Sequence, residues 1–496
     1  MRGRTRGILG LAPMPLVAAS LRRLAAALVC AAALATSAAA QPPVLPQPVA
    51  RALARAGIAE ADASLFVQEV GASAPVVAFN AAEPMHPAST IKLVTTFAAL
   101  ELLGPTFTWK TEAYIAGPLH DGVLDGDLVL KGHGDPKLTL EDFWLFVQSL
   151  RARGLREIRG DLVLDRGYFD VAGHDPGRFD GEPLRAYNVG ADALLLNFKT
   201  VRFLFVPEID HGTARIIAEP HPVQLELDNR VKLTAAPCGD WRARLRIDVR
   251  ERAAGAHVVF SGAMPAACGE RYWNVSLLTH PEFVYGVFRQ LWSAAGGALA
   301  GGYREAPVPP MARRFAVHES ATAAELVRDI NKYSNNVMAR QVFLTLSAEA
   351  LKLPGRYDRS ARAVHAWLAE RGLALPELVI ENGSGLSRSE RISAGGMGRL
   401  LLAAFASPVM PELVASLPIV ALDGTMKRRL KQQAVAGRAH VKSGSLADAR
   451  TLAGYVLDHA GRRLVVVFFV GGPNAGASQP AHDAVLRWAY ESALGG

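Results

Sequence analysis

The chain has 496 residues, half of them apolar and a fifth charged, with a formal net charge of +8 and 30 prolines and 45 glycines. That composition excludes a disordered or wholly membrane-embedded protein and leaves room for two or three domains around a large core. Five arginines (Arg2, Arg4, Arg6, Arg22 and Arg23) lie in the first 40 residues without an acid; without them the excess falls to +3, so the basic balance is no sign of a nucleic-acid partner.

Those first residues read as a secretory signal over 1–40. Arginines end at Arg23, the apolar run LAAALVCAAALA follows, and TSAAAQ offers small residues for cleavage after Ala40. A retained membrane anchor is the alternative, but 17 alanine-rich residues from Leu24 to Ala40 are short for a bilayer. Translation from Met14 would give a shorter signal. Cys30 follows the bulky Val29, which disfavours lipid attachment, and cleavage removes it. Cys238 and Cys268 then remain, either as a disulfide of an exported protein or as two buried thiols.

QPPVLPQP (41–48) reads as an extended, mobile leader. SLFVQEV and PVVAF then read as two strands, and HPASTIKLVTTFAALELLG predicts a helix over 88–103, stopped by Gly104 and Pro105. From 106 to 270 the pattern turns to short alternating runs: TWKTEAYI, GDLVLKG, GDLVLD, VRFLFV, ARIIAE, RLRIDVR and AHVVFSG. One helix interrupts them, capped by Thr139 and Asp142, with Phe143, Phe146, Val147 and Leu150 as its stripe. After 271 helical spacing returns in FVYGVFRQLWSAAG, ATAAELVRDINKY, VMARQVFLTLSAEAL and SARAVHAWLAERG. HVKSGSL, RTLAGYVLD and RRLVVVFFVGG follow as antiparallel strands, closed by a helix over HDAVLRWAYESAL. The organisation is a first part (41–105), an inserted β-rich block (106–270) and a second part (271–496), an α+β plan of helices on an antiparallel sheet.

Ser89 and Lys92 share one helix face. The serine sits in the first turn, where free N–H groups favour developing negative charge. The lysine can act as its base only if apolar neighbours and a second cation lower its pKa by roughly 3 units. Ile91, Leu93, Val94 and Phe97 are suitable neighbours. Taken alone, a serine cap with a snorkelling lysine is the plainer reading. Two further stretches change it: Ser334-Asn335-Asn336, breaking a helical pattern, and Lys442-Ser443-Gly444, opening a strand, each the sole S-x-N and K-[ST]-G of the chain.

The ordered set S-x-x-K, S-x-N, K-[ST]-G resembles the penicillin-binding proteins and serine β-lactamases. The long insert, with LKGHGDPKLT, ENGSGLSR and SLPIVALDGTMKRRL, is similar to the class C low-molecular-mass penicillin-binding proteins, D-Ala-D-Ala carboxypeptidase/endopeptidases of peptidoglycan. The resemblance implies a penicillin-binding, β-lactamase-like transpeptidase domain of α+β class with a large β-rich insert. It makes Ser89 the acylated nucleophile, Lys92 its general base and Ser334 the proton relay to the leaving amine. Asn336 would hold the acyl-side amide, and Lys442 would be the second cation and attract the terminal carboxylate. Ser443 would bind that carboxylate, and the N–H groups of Ser89 and Ser445 would form the oxyanion hole. Two departures stand out: Ser443 where the family usually has threonine, and Asn335 where many relatives have aspartate.

The resemblance further implies peptidoglycan stem peptides as substrate, β-lactam antibiotics as covalent inhibitors, a periplasmic location, and neither metal nor cofactor. ENGSGLSR, GDP and ALDGT read as tight loops, with no catalytic role derivable for Ser384 or Asp423. Among rivals, a Ser-His-Asp hydrolase lacks its G-x-S-x-G, and a zinc peptidase its H-E-x-x-H. A serine β-lactamase differs only in the rate of deacylation, and a non-catalytic penicillin-recognising protein would have lost Ser89 or Lys92.

Overall fold

The computed structural model describes residues 44–171, 173–252 and 255–491. The expected signal over 1–40, its cleavage site and Cys30 lie outside the described residues. From Leu45 onward the chain is one compact unit.

The central layer is a five-stranded antiparallel sheet in the order Val77–Phe79, Ala63–Glu69, Arg463–Gly471, Ala449–Leu457, Ala439–Ser445. Its two ends of chain meet in the middle: Ala63 pairs with Val470 and Glu69 with Leu464. Within RRLVVVFFVGG, every position from Leu464 to Val470 is apolar because both faces of the strand are covered there. Val465, Val467 and Phe469 join a core with Leu93, Val94 and Phe97. Val466, Phe468 and Val470 point the other way, to Val49, Leu53, Val485 and Leu486.

The helices supplying that second face are Gln47–Arg55 and Gln479–Glu491. The first corrects the expectation of a mobile leader: Leu45 and Val49 are buried and the helix begins at Gln47. Proline belongs in a first helical turn, where its missing N–H costs nothing, so Pro48 starts a helix instead of preventing one.

On the first face lie Lys92–Leu102, Ala323–Tyr333, Asn336–Leu351, Tyr357–Glu370 and Ala394–Phe405. The expected helix over 88–103 is in two pieces, a 3₁₀ turn Ala88–Ile91 and the α-helix Lys92–Leu102.

All seven predicted runs of the β-rich block are strands, and the helix Leu140–Ala152 carries the Thr139–Asp142 capping box. Two further strands, Leu225–Thr234 and Arg271–Ser276, complete a six-stranded sheet. The burial of Leu225–Thr234 follows no simple period. A second, five-stranded sheet has the order Tyr303–Glu305, Leu162–Asp165, Asp127–Gly132, Lys110–Ala116, Arg313–Glu319. The apolar core holding this block runs from Ala113 through the helix His280–Ala294 to Ala316. Cys238 and Cys268 are disulfide-bonded, Cα atoms 4.7 Å apart. They tie the ends of the parallel pair Leu225–Thr234 and Gly255–Pro265, whose last partners are Thr234 and Pro265. Among the described residues no helix is long and apolar enough to cross a membrane.

Candidate active site

The structure gathers the three motifs from separate elements. Ser89 lies in the 3₁₀ turn and Lys92 opens the following α-helix. In 3₁₀ geometry positions i and i+3 eclipse, which aligns the two side chains more closely than an α-turn does. Lys92 Nζ is 3.1 Å from Ser89 Oγ. The turn is held from several sides. His86 Nδ1 accepts the Ala88 N–H (2.9 Å) while its Nε2 reaches the Ser387 carbonyl (2.7 Å). The Pro87 carbonyl accepts the hydroxyls of Thr90 (2.6 Å) and Thr451 (2.7 Å). These contacts keep Ala88 at φ +44°, in the left-handed region that alanine rarely adopts.

Ser334 ends the helix Ala323–Tyr333 in a left-handed conformation, and Asn335 caps the helix Asn336–Leu351 by accepting from Met338 N–H. This break turns the Ser334 hydroxyl and the Asn336 amide toward the first helix. Lys92 Nζ donates to Asn336 Oδ1 at 2.6 Å, and Lys442 Nζ to Ser334 Oγ at 2.8 Å and the Ser443 carbonyl at 2.7 Å. Lys442 stands on the strand Ala439–Ser445 at the sheet edge. The strand passes close to the Ser89 turn because residue 444 is glycine: a Cβ there would lie 2.8 Å from Ser89 N and 2.9 Å from Ala88 Cβ, and against the Thr451 hydroxyl.

Both lysines are fully buried. Burial, then the Lys442 charge, then Arg340, hold Lys92 well below the usual lysine range, with Glu390 acting in the opposite sense. Burial alone pulls Lys442 down to about 7. Ser89, Ser334, Asn336, Ser443 and Ser445 line an open cleft of about 700 Å³, and neither lysine belongs to its wall. The seven expected residues therefore form one constellation: five at the surface of the cleft, two beneath it. The arrangement can deliver an activated hydroxyl to a carbonyl entering the cleft.

Several neighbours carry no signal in the three motifs. The ENGSGLSR loop brings the Ser384 carbonyl onto Lys92 Nζ, and its Gly383 carbonyl accepts from Thr95 Oγ1 at 2.7 Å. Ser384 thus serves through its backbone, which its side-chain type could not announce. Behind the loop lies Glu390, fully buried, with burial raising its pKa. Asp423 accepts from Lys332 Nζ (2.6 Å) and from Ile419 N–H (2.7 Å). It fixes the ALDGT loop so that Thr425 Oγ1 stands 3.0 Å from Ser443 Oγ. The β-rich block adds Phe179, Asp180 and Tyr187 to the cleft wall, with Arg388 stacked 4.3 Å over the Phe179 ring. Among the described residues no cluster of His, Cys, Asp and Glu could hold a metal ion.

Known proteins share both sequence and fold with this chain. Over 421 residues it is 29% identical to a D-alanyl-D-alanine carboxypeptidase of an Actinomadura species, covering 81% of this chain and 76% of that protein. It is 23% identical over 400 residues to the D-alanyl-D-alanine carboxypeptidase DacB of Haemophilus influenzae, covering 80% and 83%. The crystal structure of penicillin binding protein 4 (dacB) from Haemophilus influenzae superimposes with a TM-score of 0.74 at 21% identity, over 89% of this chain and 98% of that one. A second structure of that protein, complexed with a β-lactam, gives 0.71 at 20% identity, over 89% and 100%. The penicillin-binding, transpeptidase-like fold expected from the motifs is thus the fold observed. The family model for D-Ala-D-Ala carboxypeptidase 3 (S13) matches residues 45–492, nearly all of the described residues, and the chain belongs to that family of serine peptidases.

Proposed function

We propose that the protein is an exported serine DD-peptidase that hydrolyses D-Ala-D-Ala termini and D-alanyl cross-links of peptidoglycan stem peptides through an acyl-enzyme on Ser89. One observation carries the reading: a fully buried lysine amine of depressed pKa, 3.1 Å from an exposed-side serine hydroxyl. A neutral lysine has two N–H donors and one lone pair. Asn336 Oδ1 and the Ser384 carbonyl take the two donors. The lone pair is then left for the Ser89 hydroxyl proton.

In acylation Lys92 takes that proton and Ser89 Oγ attacks the carbonyl carbon of the penultimate D-alanine. The oxyanion faces the N–H groups of Ser89 and Ser445. The C–N bond to the leaving D-alanine breaks, and its amine receives a proton through Ser334, whose hydroxyl Lys442 supports. Water then attacks the ester carbonyl, releasing the shortened peptide as a carboxylic acid and returning the proton to Ser89. With Oδ1 committed to Lys92, Asn336 has its Nδ2 amide to offer a substrate carbonyl. Ser443, steadied by Thr425, would meet the terminal carboxylate, with the Lys442 charge behind it.

The missing methyl at Ser443 leaves that hydroxyl in place. β-Lactams would enter as substrate mimics that acylate Ser89 and leave slowly, in keeping with the β-lactam in the related structure. Residues 1–40 would direct export to the periplasm. We read the chain as a catalytic layer split around an insert whose core continues to about 316–319.

The test is intact-protein mass after benzylpenicillin, with peptide mapping, Ser89→Ala as control, and D-alanine release from a D-Ala-D-Ala tripeptide. A stable adduct on the Ser89 peptide together with D-alanine release is expected. Destruction of the drug without an adduct would make the protein a β-lactamase, and neither adduct nor release would leave a non-catalytic fold.

A further inference from the structure

The reaction above uses Ser89, Lys92, Ser334, Asn336, Lys442, Ser443 and Ser445, and leaves one fully buried carboxylate at the site unused. Glu390 is 0% exposed. Its Oε1 accepts three consecutive backbone N–H groups, from Glu381 (3.3 Å), Asn382 (3.1 Å) and Gly383 (3.1 Å). Its Oε2 is buried without a hydrogen-bond partner among the described residues. An acid placed so deep, with half its acceptor capacity unfilled, is costly unless its charge is used.

What Glu390 holds is the loop that touches the base. The residue next to its last N–H partner, Ser384, presents its carbonyl to Lys92 Nζ. Moreover, Asn382 Oδ1 accepts from Ser384 N–H (3.0 Å) and from its hydroxyl (2.6 Å), so the turn is rigid. The other charges acting on Lys92 are positive. Lys442 comes from the sheet edge, Arg340 from the helix Asn336–Leu351, where it donates to the Val189 carbonyl at 2.8 Å. Glu381 is engaged with the Ser387 and Ser389 hydroxyls, and Tyr357 brings a half-buried phenol whose pKa desolvation raises. Of these groups, Glu390 alone supplies negative charge to Lys92.

We propose that Glu390 is a positioning residue for the acylation step: it fixes the 381–384 loop that orients Lys92, and its carboxylate stabilises the ammonium formed when Lys92 takes the Ser89 proton. The inference rests on the function proposed above. Lys442 and Arg340 keep Lys92 neutral in the resting enzyme, while Glu390 limits the opposing penalty when the positive charge appears. Without it the base would hold its proton too weakly to drive the attack.

The test is the pH dependence of Ser89 acylation by a chromogenic cephalosporin, measured for the wild type, Glu390→Gln and Glu390→Asp with thermal melts alongside. Glutamine keeps the Oε1 acceptor and removes the charge; aspartate keeps the charge on a shorter stem. For Glu390→Gln the acid limb is expected to move to lower pH by on the order of one unit, with the plateau rate down about tenfold. Glu390→Asp should keep its limb at the wild-type position. An unmoved limb in Glu390→Gln, or the same change in both variants, would show a neutral structural carboxyl and overturn the proposal. A wild type that is never acylated would instead refute the DD-peptidase reading itself.

Discussion

Gly444→Ala tests the proposed oxyanion geometry directly. The added methyl carbon would sit 2.8 Å from Ser89 N and 2.9 Å from Ala88 Cβ, with the Thr451 hydroxyl closer still. Ordinary contact begins near 3.4 Å, so the strand and the serine turn must separate by about half an ångström or more. Neither side yields easily. Ser89 N is backbone in a turn anchored by His86, Thr90 and Thr451, and the strand is locked by its pairing from Ala439–Val456 to Ser445–Arg450. The separation moves Ser445 N–H away from Ser89 N–H, and losing one oxyanion donor costs about 3–4 kcal/mol, or 10²–10³ in kcat. Overpacking adds about 1–3 kcal/mol of destabilisation. The assay is kcat for D-alanine release from a tripeptide, with a thermal melt to count folded protein. A folded variant with kcat within about threefold of wild type would refute this account of the site.

Two other outcomes follow from burial and covalent structure. Lys442→Met should abolish turnover yet raise stability near neutral pH. The folded pKa of about 7 lies below the ordinary lysine value of 10.5, so the unfolded chain binds more protons between those limits. Wild-type stability therefore falls as pH drops from about 10.5 to 7, and the advantage of the variant grows over that window to a few kcal/mol, less the two hydrogen bonds lost. Chemical denaturation at pH 6, 7, 8.5 and 10 measures it, and a pH-independent difference would contradict the shift. Cys268→Ser opens a cross-link spanning 30 residues, which the chain-entropy model values at about 3–4 kcal/mol. The variant should melt earlier with unchanged kcat, and a wild-type protein insensitive to reductant under denaturing titration would count against it.

The grouping of Ser89, Lys92 and Lys442 was legible from the ordered set of three motifs, none of which carries it alone. A lysine stands among Ile91, Leu93 and Val94, and Ser334-Asn335-Asn336 interrupts a helical pattern. The β-rich block was legible wherever strands alternate, and illegible in Leu225–Thr234, whose burial follows no simple period. Gln47–Arg55 was hidden by Pro46 before it and Pro48 in its first turn. The remaining site groups act through atoms that every residue has, or through distant partners. Ser384 contributes a carbonyl, Gly444 an absent side chain, and Glu390 an ordinary acid whose depth only the fold determines.

That division has a physical reason. A serine must meet the substrate in the open, whereas its lysine must be dry, and side chains three residues apart cannot differ so much through their own helix. The difference comes from outside. The Ser384 carbonyl and Asn336 roof Lys92, and the sheet edge carries Lys442 alongside. These elements come from chain segments more than 200 residues from Lys92: the helix Asn336–Leu351 packs on Lys92–Leu102, and Lys442 stands on the sheet in which the N-terminal strand Ala63–Glu69 pairs with the C-terminal strand Arg463–Gly471. Tertiary packing, through burial and the Lys442 charge, therefore lowers the Lys92 pKa, and its own helix does not. Loosening that pairing should silence acylation before it unfolds the insert, whose core is separate.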